Sequence, residues 1–181
     1  CDPTAAAGRG GGGGGTDVMK KVTPSEQRTL AECVGTLDTF LTTIAAAMPV
    51  DLMPGDSDPC NYLLPQQPLH RCMLPQASRL ATLNLCTNPH SFALGGVSVL
   101  GTSGQPIDDI QRYLPRDGAA ERLDALAQSL RFQHLAPTAP DTLGCSPFTD
   151  HDPFVIDKCP HLYFAANQPC FGTRLESGPD G

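Results

Sequence analysis

At 181 residues the chain is long enough to bury one core of ordinary size, and its 40% hydrophobic content supplies the side chains for it. A formal net charge of −7 argues against a protein that grips nucleic acid directly, because that task needs a basic face. No apolar run approaches the ~20 residues that span a bilayer, and 18 glycines with 18 prolines and no tryptophan point to many loops.

Residues 1–22 carry A-A-A-G-R-G-G-G-G-G-G-T, a low-complexity, Gly-rich linker or insert that cannot bury a core. The chain begins with Cys rather than Met, so it reads as a piece of a longer protein. Its eight cysteines stand at 1, 33, 60, 72, 86, 145, 159 and 170 with no C-x-x-C pair. Cys33 is expected on a helix face and Cys86 in a strand. Free buried thiols in a reducing compartment fit this pattern better than a disulfide framework or a zinc cluster.

At Thr23 the texture changes. T-P-S-E offers a capping threonine, a proline at the first helical position and Glu26 to close a capping box. Leu30, Val34, Leu37, Leu41, Ile44 and Met48 then recur at steps of four and three, the stripe of a helix laid on a sheet that ends before Pro49. Residues 50–53 read as a short buried strand closed by Pro54-Gly55. From there to Pro75 the prolines at 59, 65, 68 and 75 leave no room for regular helix.

Residues 80–86 read as a strand and Asn88-Pro89 as a turn. Residues 91–94 and 97–100 flank Gly95-Gly96 as a β-hairpin. The second hairpin strand enters a glycine-bounded loop, Gly101-Thr102-Ser103-Gly104, and a helix leaves at Pro106 and runs to about Leu114. Asp108 and Asp109 fall in its first turn, where the helix dipole favours negative charge. Asp117 is placed to cap a further helix with Leu123, Leu126 and Leu130 on one side, ending near His134. Residues 154–156 and 162–165 read as short strands, and 171–175 as the start of another.

A strand, a Gly-rich loop and a helix can cradle phosphate. This loop has no Lys or Arg, and the two aspartates beyond it would repel the ligand, so a tight turn packing a helix on a sheet is the better reading. Ser103 lies in G-T-S-G-Q, which lacks the G-x-S-x-G spacing of a nucleophile elbow. His70, His90, His134, His151 and His161 are scattered, none paired with another at metal spacing, and are assigned surface, capping or hydrogen-bonding roles. Thr149 to Asp152, T-D-H-D, could offer ligands to a divalent ion, but three adjacent ligands on one loop are more often a solvated turn.

Several blocks are too ordered for chance. Asn61-Tyr62-Leu63-Leu64-Pro65-Gln66-Gln67-Pro68 lies inside P-G-x-x-D-P-x-N-Y-x-L-P-Q-Q-P-L-H, T-N-P-H-S-F precedes G-V-S-V-L-G-T-S-G-Q-P-I-D-D-I, and P-T-A-P-D-T-L-G-C-S-P-F spans 137–148. From about residue 31 to 178 these blocks resemble the small, or B, subunit of DNA polymerase delta. The first block favours delta over the corresponding subunits of polymerases alpha and epsilon.

That resemblance implies a mixed α/β fold, a calcineurin-like phosphoesterase β-sandwich flanked by helices, of which residues 23–181 would be an incomplete C-terminal half. Strands at the cut would lose neighbours. Two-metal phosphoesterases need clustered His and Asp, supplied by D-x-H, G-D-x-x-D, G-N-H-[DE] and G-H-x-H. The first two motifs would lie upstream. Pro54-Gly55-Asp56-Ser57-Asp58 stands where the third is expected, and His161 to Asn167, H-L-Y-F-A-A-N, lies near the fourth, both without the histidines.

The resemblance therefore implies a non-catalytic subunit with no cofactor and no metal. It would join the catalytic subunit's C-terminal metal-binding module to a further accessory subunit, touch DNA only through the complex, and work in the nucleus in replication and repair synthesis. An oligonucleotide-binding fold domain would lie upstream. The signature residues, Asn61 to Pro68 and Gly101 to Gly104, become candidates for an interface, and the loop around Leu63 and Leu64 is expected to pack inside the domain or against a partner. The alternative is a metal-dependent phosphodiesterase or 3′-5′ exonuclease of the same fold.

Overall fold

The computed structural model describes residues 23–177. The Gly-rich segment and the capping role assigned to Glu26 fall outside what it describes. Helix α1 (Pro24–Ala45) is followed by β1 (Val50–Leu52), β2 (Leu83–Leu85), β3 (His90–Leu94), β4 (Val97–Thr102), α2 (Gln105–Gln111), α3 (Ala119–Arg131) and β5 (Leu162–Ala165). Single 3-10 turns at Arg71–Met73 and Ala77–Arg79 punctuate the long proline-rich connection. The fold is mixed α/β, with a parallel pair β1-β2 and a three-stranded sheet ordered β3-β4-β5.

The threonines of helix α1 keep their hydroxyl bonds within it. Thr29, Thr36, Thr39, Thr42 and Thr43 each turn the hydroxyl back to the carbonyl four residues earlier. Its stripe buries only near the end. Leu41 and Ala45 join Leu74, Ala77 and Leu83 in one apolar cluster, with Leu37, Val50 and Leu52 partly buried against it. Leu30 and Met48, at the two ends of the stripe, stay half exposed. The small side chain of Ala45 lets the 80–83 segment approach, and Thr82 donates its hydroxyl to the Ala45 carbonyl.

One residue breaks the apolar pattern. Asp38 is buried on α1, and its two carboxylate oxygens accept the backbone N–H groups of Gln76 (3.0 Å) and Ala77 (2.8 Å). The carboxylate thus satisfies the free donors that open the Ala77–Arg79 turn, a cap supplied from another element.

The hairpin forms as expected. Gly95 (φ 57°) and Gly96 (φ 85°) take the left-handed conformations of a two-residue turn, and His90 to Leu94 pair antiparallel with Gly101 to Val97. Strand β5 adds in parallel to β4, Val99 opposite Leu162 through Thr102 opposite Ala165. Gly101 is required there, because a Cβ would run into the Phe164 ring.

A second apolar cluster joins distant loops. Leu64, Leu135, Ala136, Phe154 and Ile156 are buried together, with Leu100, Leu130 and Tyr163 packed against them. Burial raises the pKa of the Tyr163 phenol, whose oxygen lies 3.2 Å from Ser129 Oγ.

Several expectations need correction. Residues 80–86 yield a strand only at Leu83–Leu85, because residues 80–82 bend and turn on leaving the 3-10 turn at Ala77–Arg79. Strand β1 is half buried rather than buried, with Asp51 facing solvent. Asp117 does not cap α3. Gly118 holds that position without a side-chain bond, and the Asp117 carboxylate instead takes the Arg122 guanidinium at 2.7 and 3.0 Å. Residues 154–156 keep alternating burial but find no strand partner beyond one bridge between Val155 and His134. Residues 171–175 are not a strand, and Phe171 and Leu175 project into solvent. Among the described cysteines Cys86 is buried, whereas Cys33, Cys72 and Cys159 are exposed. No described helix is long and apolar enough to cross a membrane.

Candidate functional site

Strands β1 and β2 run parallel, as do β4 and β5, so each pair points its carboxyl ends the same way. In α/β folds the crevice beyond those ends is where ligands bind. Here β1 leads into Pro54-Gly55, β2 into Thr87-Asn88, β4 into Ser103-Gly104 and β5 into Ala166-Asn167. The proline-rich loop closes over them, its Gln66 and Asn88 exchanging backbone hydrogen bonds at 2.8 and 3.1 Å.

The junction is filled by carboxamides. Gln66 and Asn88 are both buried, as is Ser103. Asn88 Nδ2 faces Gln66 Oε1 (2.7 Å), Ser103 Oγ (2.9 Å) and Gln105 Oε1 (3.0 Å), and Asn88 Oδ1 accepts the Ser103 backbone N–H (3.1 Å). Gln105 Nε2 donates to Gln66 Oε1 at 2.9 Å, and Ser103 Oγ donates to Gln105 Oε1. Gln66 Nε2 in turn reaches the carbonyls of Gly55 and Asn61, both at 3.1 Å, and Asn167 Nδ2 donates to the Ser103 carbonyl at 3.0 Å. One neutral network thus ties five separate segments together. Buried polar groups linked in this way define a single arrangement, since each missing bond strands a partner.

The glycines let it close. Gly104 sits at φ 106°, where a Cβ would strike the Ala166 carbonyl and the Gln168 amide. Thr102 Oγ1 accepts the Gly104 N–H at 3.0 Å, and Gly55 N–H donates to Asp58 Oδ2 at 2.7 Å. The Gly101-to-Gly104 loop is therefore a packing corner.

What the junction can do chemically follows from its donors and acceptors. Ser103 bonds to a glutamine carboxamide, which is no general base. Burial, reinforced by the charges of Asp58 and Asp56, raises the pKa of the neighbouring Cys60 thiol, so it stays protonated at neutral pH. The geometry holds loops and offers no activated nucleophile.

The signature residues divide by face. Asn61 pins the loop on itself, accepting the Gln67 N–H on Oδ1 (2.6 Å) and donating to the Leu63 carbonyl (2.5 Å). Leu64 enters the second apolar cluster, and its backbone exchanges bonds with Gly144 (3.0 Å) and Ser146 (2.8 Å) in the 137–148 loop. Pro65 and Pro68 are half buried, and Gln67 is exposed. Tyr62 (74% exposed) and Leu63 (41%) face outward, so of the two packings expected for the loop, the one inside the domain does not hold for these two. They lie over Gly144, where a Cβ would approach the Leu63 and Tyr62 side chains at 3.0 and 3.2 Å.

The histidines hold local partners. His70 Nδ1 accepts the Cys72 N–H, and His161 Nδ1 lies 2.6 Å from Ser98 Oγ. In T-D-H-D the ligands separate, with His151 on Asp150 (3.0 Å) while Asp152 turns to His134 (2.9 Å). The Phe154 N–H and then His134 hold the Asp152 carboxyl below its usual pKa. His90 also takes a hydrogen-bonding role. Its ring meets Asp51 at 3.0 Å with Cys86 nearby, from positions too far apart in sequence to form a motif. Asn88, Gln105, Asn167 and Asp38 are likewise invisible as a set in the sequence, because no spacing rule joins them.

Comparison with known proteins is consistent along the chain. Residues 15–173 match the model of the family of B subunits of DNA polymerase alpha/epsilon. The DNA polymerase delta small subunit of Arabidopsis thaliana is 52% identical over 156 residues, covering 86% of this chain and 35% of the relative. The protein of the same name from Oryza sativa subsp. japonica is 48% identical over 157 residues (87% and 36%), and DNA polymerase delta subunit 2 of Drosophila melanogaster 47% over 150 (83% and 34%). The chain spans about a third of the length of these curated relatives. It belongs to the DNA polymerase alpha/epsilon B-subunit family, among the DNA polymerase delta small subunits.

Proposed function

We propose that this chain is the C-terminal part of an inactivated phosphoesterase-like domain, a β-sandwich flanked by helices when complete, acting as a non-catalytic accessory subunit of DNA polymerase delta. The observation that carries this reading is the junction itself. Where a two-metal hydrolase needs imidazoles and carboxylates converging on one point, Gln66, Asn88, Ser103 and Gln105 bond to one another. A carboxamide network uses its donors and acceptors internally and leaves no anionic pocket for paired cations.

Such a network gives stiffness, and stiffness suits a scaffold. It fixes the proline-rich loop so that Tyr62 and Leu63 stand outward on a preset surface at little entropic cost to a partner. The partners in this reading are the catalytic subunit, through its C-terminal metal-binding module, and a second accessory subunit, in the nucleus. The acidic balance of −7 fits contact with DNA through the complex.

The test is co-purification. Tagged full-length protein from nuclear extract should bring down the catalytic subunit, and Leu63→Asp should weaken that recovery while leaving the protein soluble. Undiminished recovery with Leu63→Asp and Tyr62→Ala would remove this loop from the interface. Failure to recover the polymerase with the unaltered protein would remove the reading.

A further inference from the structure

Beyond the junction, three side chains from three segments approach one point. Asp51 lies on β1, Cys86 follows β2 and His90 opens β3. One ligand-capable atom from each lies within 4.8 Å of the others, and His90 Nε2 is 3.0 Å from Asp51 Oδ2. We propose that Asp51, Cys86 and His90 form a binding site for one zinc-type divalent cation, clipping the β1-β2 pair to the β3-β4-β5 sheet. This goes beyond the scaffold reading and does not rest on it.

The donor set fixes the class of ion. Thiolate with imidazole selects a borderline ion such as zinc or cobalt over magnesium or calcium, which take oxygen. Bonds of about 2.0 Å to nitrogen and about 2.3 Å to sulfur put tetrahedral neighbours roughly 3.3–3.7 Å apart. The 3.0 Å imidazole–carboxylate spacing has to open by about 0.3 Å to reach that edge, and the Cys86 sulfur, within 4.8 Å of both, has to draw in.

The scaffold is in place before any ion arrives. Asp51 pairs with Asn84 in the parallel register, the Cys86 N–H donates to the Leu52 carbonyl at 2.8 Å, and His90 pairs with Gly101. The His90 ring stacks on Phe92 with centroids 5.4 Å apart. Asn84 Nδ2 stands 3.2 Å from both Asp51 Oδ1 and Cys86 Sγ. A half-turn of that carboxamide exchanges the nitrogen for an oxygen, a fourth donor; otherwise water completes the shell. The ion enters from the exposed Asp51 side. On binding, the Cys86 thiol loses its proton to solvent as the sulfur–metal bond forms.

The test uses full-length protein, reduced and stripped with chelator, and titrated with cobalt(II) and then zinc. The expected result is a thiolate-to-cobalt charge-transfer band that zinc bleaches, with one equivalent fewer bound in Cys86→Val. His90→Phe and Asp51→Asn, both on partly exposed side chains, should weaken zinc by about 100-fold or more while the far-ultraviolet circular dichroism stays unchanged. Zinc should also raise the melting temperature of the unaltered protein and of none of the three variants. Equal stoichiometry and affinity in His90→Phe and Asp51→Asn would overturn the proposal even if Cys86→Val failed to fold. So would a cobalt band unchanged by folded Cys86→Val.

Discussion

The cluster beneath α1 and the junction around Gln66 are both buried, yet they are held by different physics. Beneath α1, Leu41, Ala45, Leu74, Ala77 and Leu83 contribute area, and any apolar shape of similar volume serves. At the junction, Gln66, Asn88, Ser103 and Gln105 contribute particular atoms, and a change of one atom strands its neighbours. A core of the first kind gives stability; one of the second kind also fixes which loop lies where. Isosteric substitution separates them.

The largest effect is expected where the two kinds meet. Leu64 is 2% exposed and Leu63 41%, though they are adjacent. Leu64→Asp should cost more than about 4 kcal/mol, enough to abolish folded full-length protein, because a carboxylate would enter an apolar cluster. Leu63→Asp should change stability by about 0.5 kcal/mol or less and act on partner binding instead. Denaturant unfolding of the two single variants would distinguish these, and equal losses would refute the division of the loop by face.

Next in size is Gln66→Glu. It keeps the shape but removes the donor to Gly55 and Asn61 and buries a charge, so about 3 kcal/mol should be lost. Leu74→Met, the matching volume-conserving change beneath α1, should cost less than about 1.5 kcal/mol. Reversal of that order by chemical denaturation would erase the distinction between the two regions. Asp38→Asn should fall between, at about 1–3 kcal/mol, because the amide's NH₂ would face a backbone donor at Gln76 or Ala77.

The smallest effect is a pH dependence. The Asp152 carboxyl is held below its reference value of 3.8 by the Phe154 N–H and His134. A carboxyl with a depressed folded pKa adds stability that is complete above the unfolded value and is lost as pH falls through the lower folded one. Unfolding followed from pH 5 downward should therefore show a slightly shallower acid loss in Asp152→Asn. An unchanged slope would mean that this exposed pair contributes nothing, as many surface ion pairs do.

The same contrast explains what is readable from the sequence. The α1 stripe, the Gly95-Gly96 hairpin, the corner into α2 and strand β5 rest on local rules of period and turn chemistry, and they form close to where those rules put them, although α2 starts at Gln105 with Pro106 second and ends at Gln111 rather than near Leu114. Residues 154–156 obey the local rule too, but a strand needs a neighbour, and only a single bridge to His134 is offered. No local rule singles out Asp38 on α1, since its partners lie 38 and 39 residues on. Gln66, Asn88 and Gln105 carry no periodic signature at all. The sequence blocks that contain them mark the region without saying that their carboxamides meet, and Asp51, Cys86 and His90 are scattered in the same way.

The most direct measurement is hydrolysis of an oligonucleotide and of a simple phosphodiester by the full-length small subunit with manganese present. The expected result is no turnover above the metal-only control, in the unaltered protein and in Gln66→Ala alike. Manganese-dependent cleavage that disappears with Gln66→Ala or Asp58→Asn would show the junction to be an active site, and the reading of it as a lock between loops would be wrong.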